Sequence, residues 1–411
     1  MKEQYQQYFD QHGQQDMWRK EALVSFGSLG IPDTSQEDWR YTDFRVLKRH
    51  VFPVAMQKKS IDLNQFCLPS CDATRLVFVD GFFKPELSDD LPVGLQVVPS
   101  VFQDTDHLRD GIEALNVALC TAALDVVLSA SVEKAIHCLF ISASPDVGNY
   151  TQSRLVLAEG VHAEVVDMHI GMPNVRSFVN HQSHVKLGRN AVLQHYSLQY
   201  LQNKALYRHL MTVTQQEKSQ FFSHAIGLGA AMARTDIVVE LQGEEASCTL
   251  NGLYLTQSRQ HMDYHTTVHH RVPNCESHEY YKGILMDRSR AVFNGKVVVH
   301  PYAQKTEAHQ QNRNLLLSKK SEIDTKPELE IYADDVSCSH GATVGQIDDN
   351  QLFYLRSRGL SEEQAKKILT FSFAAELLNH MTDPVLQEHA RQRLLQILPG
   401  DELSSELQEM S

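Results

Sequence analysis

The sequence predicts a mainly β protein in which a solenoid of stacked parallel coils is flanked by helices at both ends of the chain. Three observations lead to this fold class. A turn motif repeats between residues 153 and 332, helix-like spacing dominates before residue 60 and after residue 345, and 42% of the 411 residues are hydrophobic. That hydrophobic content is enough for a large core, and a chain of this length suggests more than one domain.

The N-terminal part combines helical and extended patterns. Up to residue 60, apolar residues such as Phe9 and Leu23 fall at spacings that favour helices. Residues 76–83 have the pattern of a strand, a turn and a second strand, and residues 111–130 resemble a helix. We therefore assign residues 1–130 to an N-terminal helical and mixed α/β domain.

The repeat defines the predicted core, residues 131–345. A Gly-x-x-Ala-x-apolar frame begins at Gly160, Gly188 and Gly243, so its copies start 28 and then 55 residues apart, close to one period and two. A missing middle copy is expected near residues 217–221. Strand-rich repeats of this length indicate a propeller, a barrel array or a solenoid, and propeller blades are usually longer, at ~40 residues. An antiparallel sandwich with chance turn similarity is the alternative.

The C-terminal part, residues 346–411, is predicted to be helical. A capping-box pattern at Ser361 to Gln364 opens a helix that runs to Met381, and Asp383 with Pro384 begins a last helix. The first of these helices carries two apolar stripes. One steps by four residues from Ala365 to Leu377, and the other consists of Ile368, Phe371, Ala375 and Leu378. Two stripes need two surfaces to pack on.

Composition limits the classes of partner and the compartment. The chain has 38 basic and 51 acidic residues, a net charge of -13, which argues against nucleic-acid binding. No signal-peptide core and no membrane-spanning apolar run is visible, so we expect a cytoplasmic protein without membrane contact. The seven cysteines are scattered, which indicates reduced thiols, and Cys67 and Cys71 form an incidental loop pair.

Cys338 and His340 are candidate metal ligands in the segment YADDVSCSHGATVG. On an extended strand they point to the same face, and thiolate and imidazole both bind soft metals. A structural zinc site needs about four such ligands, and no second pair with suitable spacing follows. The alternatives are a structural pair, in which a buried cysteine lies beside a turn-capping histidine, and one half of a site that another chain completes.

A second histidine-rich segment offers a weaker metal candidate. On an extended strand four donor side chains would share one face: His261, Asp263, His265 and His269. Parallel solenoids also stack like residues on one face, so an exposed histidine ladder without any metal is the alternative. Phosphate-binding loops, nucleophile elbows and redox Cys-x-x-Cys pairs are absent from the sequence.

Several motifs together resemble the SufB/SufD family. The similarity is strongest after residue 290, where the chain has VFNGKVVV at 292–299, EIDTKP at 322–327, ELEIYADD at 328–335, CSHGATVG at 338–345, QLFYLRSRG at 351–359 and FAAE at 373–376. It is weaker between residues 60 and 280, and DWRYT at 38–42 also fits.

This resemblance implies a right-handed parallel β-helix and a role in iron-sulfur cluster assembly. It also implies a complex with a SufB-like protein, paired through the β-helix, and with the ABC-type ATPase SufC, docked on the C-terminal helices. Ile368, Phe371, Ala375 and Leu378 would then be SufC-docking residues. Cys338 and His340 would lie where the two β-helices pair, and would hold a transient cluster shared with the SufB-like chain.

The resemblance implies a non-catalytic scaffold with no cofactor tightly bound to the isolated chain, which could form a homodimer when alone. The complex could hold FAD, so a flavin-binding redox protein is one alternative. A carbohydrate-active β-helix enzyme is the other. It would need carboxylates that converge on one face, and Asp236, Asp263 and Asp287 are scattered in the sequence.

Overall fold

The computed structural model describes residues 2–12, 16–56, 61–66, 69, 72–100 and 108–400. The helices are α1 (Lys2–His12), α2 (Met17–Leu29), α3 (Gly111–Leu119), α4 (Asp349–Ser357), α5 (Glu362–Leu378) and α6 (Pro384–Ile397). None of the described helices combines the length and the apolar character needed to cross a membrane. The cytoplasmic location therefore stays a prediction.

The strands form two large sheets. One contains, in chain order, β1 (Ala73–Val79), β2 (Phe82–Phe83), β5 (Ala135–Ser142), β7 (His162–Gly171), β9 (Val192–Tyr200), β11 (Gln220–Gly227), β13 (Ser247–Thr256), β15 (Glu276–Leu285), β17 (Thr306–Leu316) and β19 (Val336–Gly345). The other contains β3 (Leu95–Pro99), β4 (Ala122–Leu128), β6 (Val147–Leu157), β8 (Ser177–Leu187), β10 (Leu206–Gln215), β12 (Met232–Leu241), β14 (His261–His270), β16 (Arg290–Val299) and β18 (Glu322–Ile331).

From β4 onward, consecutive strands alternate between the two sheets, and each strand pairs in parallel with the strand two places further along the chain. This connectivity is a parallel β-solenoid, as the repeat predicts. Successive coils start at Ser177, Leu206, Met232, His261 and Arg290, so subtraction gives 26 to 29 residues per coil. The missing copy of the turn motif is confirmed, because residues 216–219 form the turn between β10 and β11.

Two of the three repeated glycines, Gly188 and Gly243, have a steric reason. A Cβ added at Gly243 would lie 1.9 Å from the backbone nitrogen of Glu217, and one at Gly188 would lie 2.8 Å from that of Glu159. Both neighbours belong to turns that occupy the same corner of the solenoid one coil earlier. Only glycine lets adjacent coils stack this closely at the corner.

Alternating side chains divide each strand between the solenoid interior and its outer surface. The interior holds an apolar core that runs from Leu76 on β1 to Phe293 on β16. Strands β1 to β4 precede residue 131 yet belong to the same two sheets, so the solenoid begins before the predicted core boundary. The division of the chain into three domains stays a prediction.

Helices cover the outer surfaces at both ends of the chain. Helix α3 packs with α2, and its residues share a core with Tyr150 of β6 and Phe178 of β8. Helices α5 and α6 pack on the outer face of the ten-stranded sheet, where they share a core with residues such as Leu198 and Leu253. The capping box at Ser361 and the N-cap at Asp383 are both formed as predicted.

Candidate functional site

Cys338 and His340 lie on β19, the last strand of the solenoid. This strand forms one edge of the ten-stranded sheet, and in the described part of the chain its only neighbour there is β17. Cys338 is in register with Ala308, and His340 is in register with Gln310. The two candidate ligands are therefore carried by an open edge where further strands could add.

Both side chains are on the inner side of that strand. Ala308 and Gln310, their partners in the register, are 1% and 3% exposed. Cys338 packs against a small apolar cluster that includes Val297 and Ala303 and is itself half-buried. His340 is exposed, because no further coil covers it within the described residues.

The thiol of Cys338 is half-buried and has a raised pKa. Burial raises its pKa, although a hydrogen bond with the backbone of Ala308 partly offsets the effect. Metals bind the thiolate, so the isolated chain holds this ligand in its weakly binding, protonated form. Among the described residues, no group of three or more His, Cys, Asp and Glu side chains could hold a metal ion. Cys338 and His340 are two donors of an incomplete site.

Two polar residues behind this pair were not singled out in the sequence. Glu279 of β15 is in register with Gln310 of β17, and both are 3% exposed. Burial raises the pKa of Glu279 to about 7, while the hydrogen bond from Thr266 and the nearby Gln310 amide lower it. The strand pattern SHEYY carries a signal for this burial, because Glu279 occupies an inward position between Ser277 and Tyr281.

The structure does not support the metal site predicted in the histidine-rich segment, because among the described residues these side chains do not form a group that could hold a metal ion. Strand β14 does turn His261, Asp263 and His265 outward, but the N-terminal segment covers them. The Thr42 hydroxyl donates to Asp263 at 2.5 Å and lies 2.7 Å from His261 Nε2. His265 Nε2 lies 3.0 Å from Asp263 Oδ1. The side-chain atoms that would bind a metal instead take part in a buried hydrogen-bond network.

His269, the fourth member of the predicted set, is further along the same strand and has other partners. Its Nδ1 lies 3.3 Å from Nε2 of His300, and its Nε2 lies 3.9 Å from a carboxylate oxygen of Glu240. It therefore belongs to a surface cluster of histidines and charged residues.

The acidic residues of the carbohydrate-enzyme alternative are also accounted for. Arg234 forms ion pairs with both Asp236, at 2.9 Å, and Asp263, at 3.3 Å. The positive charges of Arg208 and Arg234 hold the pKa of Asp236 well below its usual range, against the effect of burial. A glycosidase acid needs a raised pKa, so this carboxylate is unsuited to that role. Asp287 instead accepts from the Ser258 backbone in an exposed turn.

Most of the predicted SufC-docking stripe is buried within the chain itself. Phe371, Ala375 and Leu378 are 0%, 4% and 0% exposed and pack in the core that α5 shares with the solenoid, while Ile368 is half-buried. The first stripe packs within the chain too: Leu377 belongs to that core, which also includes α6 residues such as Leu386. In this conformation most of both stripes packs within the chain itself, and Ile368, Leu369 and Phe373 are half-buried.

Exposed apolar surface in the C-terminal region lies on α4 instead. None of its nine residues is buried, and the side chains of Phe353 and Tyr354 are 74% and 56% exposed. Helix α4 follows β19 by only three residues, 346–348. This aromatic surface is therefore close in sequence to Cys338 and His340.

The described cysteines are free thiols, as expected: Cys120, Cys138, Cys248, Cys275 and Cys338. Cys67 and Cys71 lie outside the described residues. Burial raises the pKa of Cys120 to about 12 and that of Cys275 to about 11. The first four thiols are buried, which leaves Cys338 as the most accessible of the described set.

Comparison with known proteins agrees with this architecture. The family model "SUF system FeS cluster assembly, SufBD core domain" matches residues 140–373, and the "SufBD protein N-terminal region" matches residues 2–136. The iron-sulfur cluster assembly protein SufD of Escherichia coli K12 is 34% identical over 385 residues, which is 90% of each chain.

Two further relatives extend over most of the chain. An iron-sulfur cluster assembly SufBD family protein of Synechocystis is 33% identical over 405 residues, covering 91% of this chain and 89% of its own. The chloroplastic protein ABCI7 of Arabidopsis thaliana is 25% identical over 409 residues, covering 92% and 85%. The chain therefore belongs to the SufB/SufD family of iron-sulfur cluster assembly proteins.

Proposed function

We propose that this chain is a non-catalytic scaffold that supplies one half of a cluster-assembly site, through Cys338 and His340. The observation that carries the proposal is the position of these residues on the inner side of an open terminal strand. A thiol and an imidazole are suitable ligands for iron, and a partner chain must provide the others.

The partner that completes the site is a SufB-like protein whose own terminal coil extends the sheets of this solenoid. Strand addition gives main-chain hydrogen bonds to the free edge of β19 and covers His340. Coverage also excludes water, and an iron ion there favours the thiolate of Cys338 over its protonated form. The cluster is cargo, held transiently between the two chains.

A SufC-like ABC-type ATPase docks on the C-terminal helices, through the aromatic surface of α4 rather than through the buried stripe of α5. Phe353 and Tyr354 support this assignment because large aromatic side chains dominate protein interfaces and here they have little cover within the chain. Movement of the helical region on ATP binding could then loosen a site that two chains share.

The test is reconstitution of the complex under anaerobic conditions, followed by iron and sulfide analysis. Cys338→Ser and His340→Ala should each lower the iron and sulfide content of the complex without preventing its assembly. Ser337→Ala and Ser339→Ala are matched controls, because these residues alternate with the ligands and point outward on the same strand. Cluster formation that is undiminished in both ligand variants would rule out the proposal.

Absorbance of the purified complex adds a second readout. Broad iron-sulfur bands that require Cys338 support a shared cluster. A flavin band that is present in the complex and absent from the isolated chain would assign FAD to the complex. Size measurement of the isolated chain tests the predicted homodimer.

A further inference from the structure

A column of polar side chains lies directly behind His340 in the solenoid interior. Glu279 of β15, Gln310 of β17 and His340 of β19 occupy equivalent positions on successive coils of one sheet. Neighbouring strands of a sheet are about 4.8 Å apart, so side chains in this column are within reach of their neighbours. The column runs from the buried core to the open edge.

The buried members of the column are incompletely satisfied. Glu279 Oε2 accepts from the Thr266 hydroxyl, whereas its Oε1 has no partner among the described residues. The Gln310 amide is close enough to lower the pKa of Glu279, yet neither of its polar atoms makes a well-formed hydrogen bond in the described part of the chain. Leaving a buried polar group unpaired is destabilising, so this arrangement needs a reason.

Space has been made for the Gln310 side chain. Its Nε2 lies where a Cβ at residue 295 would approach to 2.1 Å, and residue 295 is glycine. The neighbouring column differs, because Cys338 is in register with Ala308, which offers no side-chain polar atom. His340 therefore has a polar neighbour one coil inward, Gln310, whereas Cys338 has none at the equivalent position.

We propose that Gln310 is a positioning residue for His340 in the assembled complex and that Glu279 fixes the orientation of the Gln310 amide. The inference rests on the proposed function, in which His340 binds iron. Gln310 Nε2 donates to the Glu279 carboxyl, and this leaves Gln310 Oε1 to accept from one ring N–H of His340. The other ring nitrogen is then deprotonated and points to the metal.

This arrangement follows the way proteins hold metal-binding histidines. Such a histidine normally donates its second ring N–H to a carboxylate or carbonyl oxygen, which sets the tautomer and the ring orientation. Removal of that partner typically lowers metal affinity ~10- to 100-fold. In the isolated chain His340 is exposed, so we expect the contact to form when a partner chain covers the terminal coil.

The experiment measures ferrous iron binding to the reconstituted complex by anaerobic equilibrium dialysis. Gln310→Met keeps the length of the side chain and removes its hydrogen bonds, and we expect it to weaken iron binding ~10- to 100-fold. In a His340→Ala background the same substitution should have no further effect. The double variant Glu279→Gln with Gln310→Glu exchanges the two side chains, so one carboxyl and one amide remain and an oxygen still faces His340. It should therefore recover most of the iron affinity that Gln310→Met loses.

Ser277→Ala is the control for general damage to the interior. Ser277 is in register with Ala308, so it lies in the cysteine column at the same depth as Glu279, and its hydroxyl lies 2.9 Å from Nε2 of His270. Its variant should bind iron within about two-fold of the unmodified complex, while a 10-fold loss is expected for Gln310→Met. Urea unfolding of each variant reports whether the chain still folds.

The outcomes separate this inference from the proposed function. If His340→Ala leaves iron binding unchanged, both are overturned. If His340→Ala weakens binding and Gln310→Met does not, only the inference is overturned. The inference is also overturned if Gln310→Met weakens iron binding by the same factor in the His340→Ala background as in the unmodified chain. It is overturned too if the variant with Glu279 and Gln310 exchanged binds iron as weakly as Gln310→Met.

Discussion

Replacement of Arg234 by methionine should strongly destabilise the attachment of the N-terminal segment to the solenoid. The Arg234 side chain is 2% exposed, and its guanidinium group donates to both carboxylate oxygens of Asp236, each at 2.9 Å. It also donates to the backbone oxygen of Asp38 at 2.5 Å, and its carbon lies 3.9 Å from the centroid of the Trp39 ring. One side chain therefore joins β12 to the segment that includes Asp38 and Trp39.

The size of the effect follows from what the substitution leaves behind. Removal of one partner from a buried ion pair typically costs ~3–5 kcal/mol, because a carboxylate stays buried without its cation. Here Asp236 keeps Arg208 at 2.7 Å, and Asp263 keeps His265 at 3.0 Å. Methionine also preserves most of the packing of the aliphatic stem. We therefore expect a loss at the lower end of that range, about 3 kcal/mol.

Urea unfolding followed by tryptophan fluorescence measures this loss. The chain has two tryptophans, so a Trp18→Phe background isolates the signal of Trp39. Arg290→Met is the matched control, because its ion pair with Asp324 is 41% and 32% exposed and should contribute less than ~1 kcal/mol. If Arg234→Met costs no more than Arg290→Met, the buried network does not hold the segment and the reasoning is refuted.

Three further predictions concern the solenoid and the C-terminal helices. Folding raises the pKa of Glu279 from 4.5 to about 7, so the folded state favours the protonated carboxyl. The contribution of Glu279 to the free energy of unfolding is therefore fully present below pH 4.5 and falls by about 3 kcal/mol as the pH rises to 7. Urea unfolding at several pH values should therefore show a flatter decline for Glu279→Gln, and equal declines would contradict the assignment. Lys282 donates to the backbone oxygen of Phe373 at 2.7 Å and to Glu376. Lys282→Met should therefore lower the free energy of unfolding by ~1–3 kcal/mol and speed proteolysis of α5. Lys366→Met breaks only an exposed ion pair, so it should change the stability and the proteolysis rate little. Phe353→Ser should reduce co-purification of the proposed SufC-like ATPase without changing the melting temperature. Val93→Ser, at a side chain that is 98% exposed, should leave co-purification unchanged. Equal retention of the ATPase by both variants would exclude α4 as the docking surface.

Local sequence rules predicted much of the fold. The Gly-x-x-Ala frame identified the solenoid because coils of nearly constant length require the same close turn at the same corner. The caps at Ser361 and Asp383 located two helices to within a few residues. The predicted helix over residues 111–130 was wrong in its second half, where Ala122–Leu128 is a strand with strict alternation of buried and half-buried residues. Its apolar residues fit both periods, and pairing with β6 decided between them.

The candidate site shows where sequence reasoning stops. Alternation correctly placed Cys338 and His340 on one face, and likewise His261 and Asp263. It could not show that Thr42, more than 200 residues away, covers His261 and Asp263 and hydrogen-bonds with both side chains. The same limit applies to α5, whose apolar stripes were visible while the surfaces that bury them were not. What covers a face depends on contacts between distant segments, and these are fixed only by the complete fold.

The two edges of the terminal coil differ in a way that bears on how the protein must be produced. Strand β18 carries Pro327 and a row of outward charges, features that discourage uncontrolled strand pairing. Strand β19, VSCSHGATVG, has no Asp, Glu, Lys or Arg and no proline, so its free edge is open to pairing with any exposed strand. If a SufB-like chain covers β19 as proposed, an excess of this chain over that partner should therefore aggregate through β19. On this proposal, matched synthesis of the two chains would be a requirement for solubility as well as for assembly.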